Sequence, residues 1–112
     1  MFKDSQNIGT RITGAVYEEV LCYELAKAGL RFSRQQAIAV VYEYVKMDLG
    51  FRADIIIEDK LIIELKSVEA VAPVHHKIVL TYLRLTNKKL ALLVNFHVEL
   101  IKDGIKRIAN GI

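Results

Sequence analysis

Tryptophan is absent from this 112-residue chain, cysteine occurs once, at Cys22, and proline once, at Pro73. A single thiol cannot close an internal disulfide, so the fold must rest on its own core, and a reducing cytoplasm is the expected setting. Cys22 lies in an apolar helical pattern, where a small thiol is ordinary core filler rather than a nucleophile. There is no Cys-x-x-Cys pair, no Ser-His-Asp order and no glycine-rich phosphate loop. Thiol-redox, triad-hydrolase and P-loop chemistries therefore lack their residues. No apolar run exceeds six residues, against the ~20 a membrane helix needs. The opening MFKDSQNIG has no apolar stretch of the signal-peptide kind, so a membrane role is not expected. The charge balance is +3 with a pI near 9.0, which permits an anionic partner such as nucleic acid without demanding one.

What is present is apolar residue in quantity. The chain is 53% hydrophobic with mean hydropathy +0.25, ample for the core of one domain over residues 1–112 and high enough to allow a homodimer. Residues 1–12 are weakly patterned and read as a loosely ordered arm. From Thr13, a suitable N-cap, to Gly29, a suitable C-cap, the spacing is helical. Tyr17, Val20, Leu21, Glu24, Leu25 and Ala28 form its stripe. Glu24 on that stripe either reaches solvent at the edge or aims into a site, and both readings stay open. Residues 36–46 read as a strand, MDLG as a turn, and 51–58 and 61–67 as a hairpin. Pro73 opens a second helix over 73–87, with Ile78, Tyr82 and Leu85 inward. Residues 89–96, KLALLVNF, read as a strand buried on both faces. VELIKDGIKRI reads as a terminal hairpin turning at Asp103-Gly104. The result is an α/β (α+β) fold with an α-β-β-β-α-β core, in which helices flank a mixed sheet.

The stretch RADIIIEDKLIIELK, residues 52–66, places three charges inside that apolar hairpin. Glu64 and Lys66 share one strand face. A two-residue turn would put Asp54 on the other face. A three-residue loop, Glu58 to Lys60, pairs Ile57 with Leu61 and sets Asp54 opposite Glu64. That register is expected here, with Lys60 in the left-handed conformation. Two neighbouring carboxylates repel unless a cation lies between them, and hard oxygen ligands suit Mg²⁺ or Mn²⁺. Such an ion polarises a phosphate and acidifies a bound water, while a nearby lysine offsets charge at the phosphorus. The same three residues also fit a cross-strand salt bridge on a solvated face, worth little.

The pattern resembles the PD-(D/E)XK nuclease superfamily, with its restriction-endonuclease-like core. More narrowly, the segments VYEEVLCYELAKAGL, RADIIIEDKLIIELKSVEAVAPVHH, TYLRLTNKKLALLVNF and IKRI are similar to those of the GxxExxY proteins. The resemblance implies Asp54 and Glu64 as metal ligands, the Leu65 carbonyl as a further ligand, Lys66 as the catalytic lysine, and a metal-dependent nuclease acting on DNA or RNA. An alternative is a catalytically impaired module that binds nucleic acid or a protein.

The chain also departs from the family pattern. The namesake glutamate falls at Gly14, its glycine at Arg11, and the second-helix glutamine at Ile78. Glu18 or Glu24 are candidate substitutes, and His75 is a possible accessory; His76, its neighbour, points elsewhere on a helix. Lys88, Lys89, Lys102, Lys106 and Arg107 are candidates for a nucleic-acid track. Tyr42 and Tyr44 are expected as core or dimer contacts.

Overall fold

The computed structural model describes residues 14–42, 45–97 and 101–111, with side chains at 39–42, 45–51 and 101–102 outside that description. The expected arm, the Thr13 cap, Arg11, Lys102 and the Tyr42/Tyr44 face lie outside it. Helix α1 (Gly14–Lys27) leads into β1 (Phe32–Tyr42) and β2 (Val45–Ile57). β3 (Leu61–Lys66), α2 (Pro73–Thr86), β4 (Leu90–Asn95) and β5 (Ile105–Ala109) follow. The five strands form one sheet in chain order, parallel only between β3 and β4. The α2 crossover makes that parallel pairing possible.

Each sheet face carries one helix and one core. Ile56, Ile62, Ala91, Leu93 and Ile108 close on Val79, Tyr82 and Leu83 of α2. On the other face Ile55, Ile57, Ile63, Val94 and Phe96 close on Tyr17 and Cys22 of α1. β4 supplies Ala91 and Leu93 to one face, Leu92 and Val94 to the other, as its unbroken apolar run implied. Tyr17 stacks on Phe96 with centroids 4.6 Å apart, and burial pushes its phenol up to about 12.

The loop between β2 and β3 has three residues, and Ile57 pairs with Leu61 as expected. The left-handed residues are Glu58 and Asp59, at φ 53° and 57°, and not Lys60. The Lys60 N–H donates to the Ile57 carbonyl at 2.9 Å, so the chain turns on two successive positive φ angles, matching strand twist. Glu58 is held there from outside the turn, since its carboxylate accepts the Arg31 N–H at 2.7 Å while its own N–H donates to the Arg31 carbonyl.

Further expectations change, among them the strand read over 36–46, which is the end of β1 and the start of β2. MDLG is not a turn but part of β2, which pairs with β1 back to Val45 opposite Tyr42; apolar residue types recur at every second position of the sequence from 45 to 51, a period-two pattern that extends the strand. Asp103-Gly104 does not make a tight hairpin. Ile101–Gly104 is a 3₁₀ turn, and the terminal hairpin forms between β4 and β5. Ile78 and Leu85 are exposed, at 41% and 42%, because α2 turns the Val79, Tyr82, Leu83 stripe inward.

Both helices stop by the same device. Leu30 donates to Leu25 and Gly29 to Ala26, around Gly29 at φ 79°; Lys88 donates to Leu83 and Asn87 to Arg84, around Asn87 at φ 56°. A β-carbon at Gly29 would meet nothing within 4 Å, so Gly29→Ala costs only backbone strain. Thermal denaturation should register a loss of about 1 kcal/mol; an unchanged melting temperature would show that α1 ends without needing this cap.

Candidate active site

β2 and β3 part company at the site. Their ladder runs from Ile57↔Leu61 to Ile55↔Ile63. One residue further, the alternation of β2 breaks: Ile55 and Ile57 face α1, yet Ala53 lies with Ile56 in the α2 core, where strict alternation would keep 53, 55 and 57 together. β1 does likewise, with Phe32 in the α1 core and Ile38 in the α2 core. Gln35, at φ 51°, is the irregular residue there. The pairs Arg34↔Ile55 and Gln36↔Ala53 bracket Gln35 and Asp54.

The Asp54 carboxylate enters the gap, where its Oδ2 accepts the Leu65 N–H at 2.8 Å. A side chain thus takes the place of the ladder. A strand residue's N–H and C=O point toward the same neighbour, so the Leu65 carbonyl faces the same gap. On the α1 side the gap opens into a cleft of about 420 Å³ lined by Gly14, Ala15, Glu18, Gln35, Asp54 and Leu65.

Glu64 is 7% exposed. Its Oε1 is buried with no hydrogen-bond partner among the described residues. Burial, reinforced by the negative charge of Asp54, pushes its carboxyl up to about 7, against the opposing pull of the Asp54 backbone N–H and the Lys66 ammonium. An unsatisfied buried carboxylate oxygen costs stability. Lys66 is half-buried. Among the described residues none of Asp54, Glu64 and Lys66 forms an ion pair, so a cross-strand salt bridge does not close the site. Glu64 alternates with Ile63 and Leu65 onto the α2 side of β3 and does not line that cleft, yet it is near enough for the charge of Asp54 to raise it; two such carboxylates, one with a bare oxygen, and the Leu65 carbonyl are donors of the kind that suit a hard divalent cation. No group of three or more His, Cys, Asp or Glu side chains gathers among the described residues, so water and backbone would complete the shell.

Glu18, from α1, is 6% exposed. Its Oε2 accepts from Arg34 Nε at 3.0 Å and Nη2 at 2.9 Å, and its Oε1 from Gln35 Nε2 at 2.7 Å. The same Gln35 nitrogen lies 3.4 Å from Asp54 Oδ1. Glu18 therefore reaches the cleft but is held by a guanidinium. Glu24 is half-buried and lies six residues on, ~9 Å along the helix axis, so the edge-of-stripe reading describes it. The structure uses His75 as a helix cap, its Nδ1 accepting the Ala72 N–H at 3.1 Å; His76 is exposed. Lys88 donates to the Asp59 carbonyl and carboxylate, which ties it to the β2–β3 loop, while Lys89, Lys106 and Arg107 are exposed.

Three contributors were not singled out as site residues from the sequence. Burial and the charges of Glu64 and Asp54 raise the Tyr82 phenol, which places it by the site from the α2 layer. Asn95, opposite Lys66 in the parallel ladder, clamps the chain just after it, exchanging two hydrogen bonds with the Val68 peptide. Gln35 is the third; a left-handed non-glycine residue inside a strand leaves no mark in composition or periodicity.

The raised Glu64 carboxyl has a measurable consequence. In the folded chain it holds a proton up to about 7, whereas unfolded it ionises near 4.5. The folded state therefore binds more protons in that interval, and stability falls as pH rises through it, by on the order of 3 kcal/mol at most. Denaturant unfolding in chelator should show this decline in the wild type and its loss in Glu64→Gln. Equal pH profiles for the two proteins would mean that Glu64 is solvated.

A family model described as the PD-(D/E)XK nuclease superfamily matches residues 1–108. No curated protein and no solved structure matches the chain.

Proposed function

We propose that this chain, which belongs to the PD-(D/E)XK nuclease superfamily, is a divalent-metal-dependent nuclease that hydrolyses phosphodiester bonds of DNA or RNA. The observation that carries the reading is the bare, buried Oε1 of Glu64 beside Asp54. A carboxylate that costs stability as it stands is explained if a cation is its partner. Asp54, Glu64 and the Leu65 carbonyl would hold Mg²⁺ or Mn²⁺, which when bound polarises the phosphate and acidifies water. Lys66, with no carboxylate partner among the described residues, is available to the phosphate oxygens or the attacking water. Asp54 holds the wedge between the strands open through the Leu65 N–H. Asn95 keeps the segment after Lys66 in place. At a narrower level we assign the chain to the GxxExxY proteins, on the segments around Tyr17, Asp54–Lys66 and Tyr82.

One observation favours the alternative, a nuclease-fold module that binds nucleic acid or a protein partner, or itself as a homodimer, without cleaving. Gly14 brings no carboxylate to the cleft wall, and Arg34 neutralises Glu18 one helical turn away. The space is there, because a β-carbon at Gly14 would meet only the Phe96 ring, at 4.0 Å.

Labelled single- and double-stranded DNA and RNA, incubated with Mn²⁺, Mg²⁺ or chelator, decide between the two. Metal-dependent cleavage should appear and fall at least ~100-fold in Glu64→Ala and Lys66→Ala. Cleavage equal in wild type and Glu64→Ala would remove the assignment. Gly14→Glu is expected to tighten Mn²⁺ binding and raise cleavage by about tenfold or more; a substitution without effect on either would show that the cleft wall takes no part.

A further inference from the structure

We infer that Gln35 is a positioning residue of this site, aiming the Asp54 carboxylate from a strained backbone. The inference rests on Asp54 being a cation ligand, as proposed above, but its geometry stands independently. Gln35 is the one non-glycine residue of positive φ that lies inside a strand rather than at a turn or helix end, among the described residues. A left-handed glutamine costs about 1 kcal/mol and persists only where its surroundings hold it. Three contacts converge there. Its amide nitrogen has two N–H groups, and the two acceptors within reach are Glu18 Oε1 at 2.7 Å and Asp54 Oδ1 at 3.4 Å. The Gln35 backbone carbonyl accepts from Arg52 Nη1 at 3.0 Å.

The strain has a geometric product. In regular β1 the residue after Arg34 would point to the face opposite α1. The left-handed turn instead sends both neighbours to Glu18, Arg34 through its guanidinium and Gln35 through its amide. Asp54 is then gripped at both oxygens, Oδ2 by the Leu65 N–H and Oδ1 by the Gln35 amide. That grip leaves the carboxylate one orientation in the gap. Glu18, anchored by Arg34, fixes the amide from behind. Glu18 therefore serves as the anchor of this chain of contacts.

Gln35→Asn tests it. Asparagine accepts the left-handed conformation and keeps an amide, but its side chain is one methylene short of the Asp54–Glu18 span. Gln35→Gly serves as a second variant that removes the strain and the amide together. Two readouts are taken. Amide hydrogen exchange of Leu65, measured without metal, should accelerate roughly tenfold in both variants while Ile62 stays protected, since Asp54 is released locally and the sheet is not. The Mn²⁺ dissociation constant, by calorimetry, should rise roughly tenfold, with the melting temperature within a few degrees of wild type. Unchanged Leu65 exchange in both variants would overturn the positioning role whatever the metal result. Faster Leu65 exchange in both variants, together with a wild-type protein that binds no Mn²⁺, would uphold Gln35 as the residue that positions Asp54 and sink the cation site instead. Parallel acceleration at Leu65 and Ile62 would reduce Gln35 to a structural residue and also overturn the inference.

Discussion

A single hydrogen bond, from the Leu65 N–H to the Asp54 carboxylate, marks where β2 and β3 stop pairing, while β3 stays joined to β4 and β2 to β1. Up to Ile55↔Ile63, β2 and β3 satisfy each other's backbones. Beyond that pair the half-buried Leu65 N–H still needs an acceptor, and a side-chain carboxylate meets the need. The strands are then free to splay without leaving an orphaned donor. The cleft, the inward Leu65 carbonyl and the closeness of Asp54 to Glu64 all follow from that substitution.

The splay has an electrostatic consequence. Glu64 stays in the sheet and is carried into the interior with one oxygen bare, while Asp54 brings a second negative charge alongside. Charge of one sign thus accumulates where solvent is scarce, which is why the Glu64 carboxyl rises to about 7. Lys66 moderates this without contact. The Glu64 carboxylate as folded is poorly satisfied, a balance found at functional positions, where local stability is given up for chemistry, and this is what the proposed cation would relieve. α1 and α2 shape it from opposite layers, through Glu18 and Tyr82 respectively.

Much of this was legible in the residues. The Ile/Leu runs around Glu58–Lys60 and the demand that Asp54 and Glu64 meet together predicted the loop length and register that the structure has. The turn chemistry was misplaced by one or two residues, because Glu58 and Asp59 adopt left-handed angles that no glycine or asparagine announces. α2 was rotated in the sequence reading since Ile78 and Leu85 are apolar enough to look internal; only the sheet surface beneath Val79 and Leu83 decides which apolar stripe is buried. Glu18 was a candidate among several acids, and nothing in its spacing identified Arg34 as its partner.

What the sequence by itself determined is set by local periodicity: two helices, strands of period two, a both-faces-buried β4, and a hairpin whose three-residue loop pairs Ile57 with Leu61. What only the tertiary structure decided is the behaviour of groups that meet across elements. The break in alternation at Gln35 and Asp54, the capture of Glu18 by Arg34, the approach of Tyr82 and the bare oxygen of Glu64 each depend on two or more segments at once. Pairwise periodicity along one chain carries no record of such meetings, because their energy belongs to the assembled layers and to no single segment.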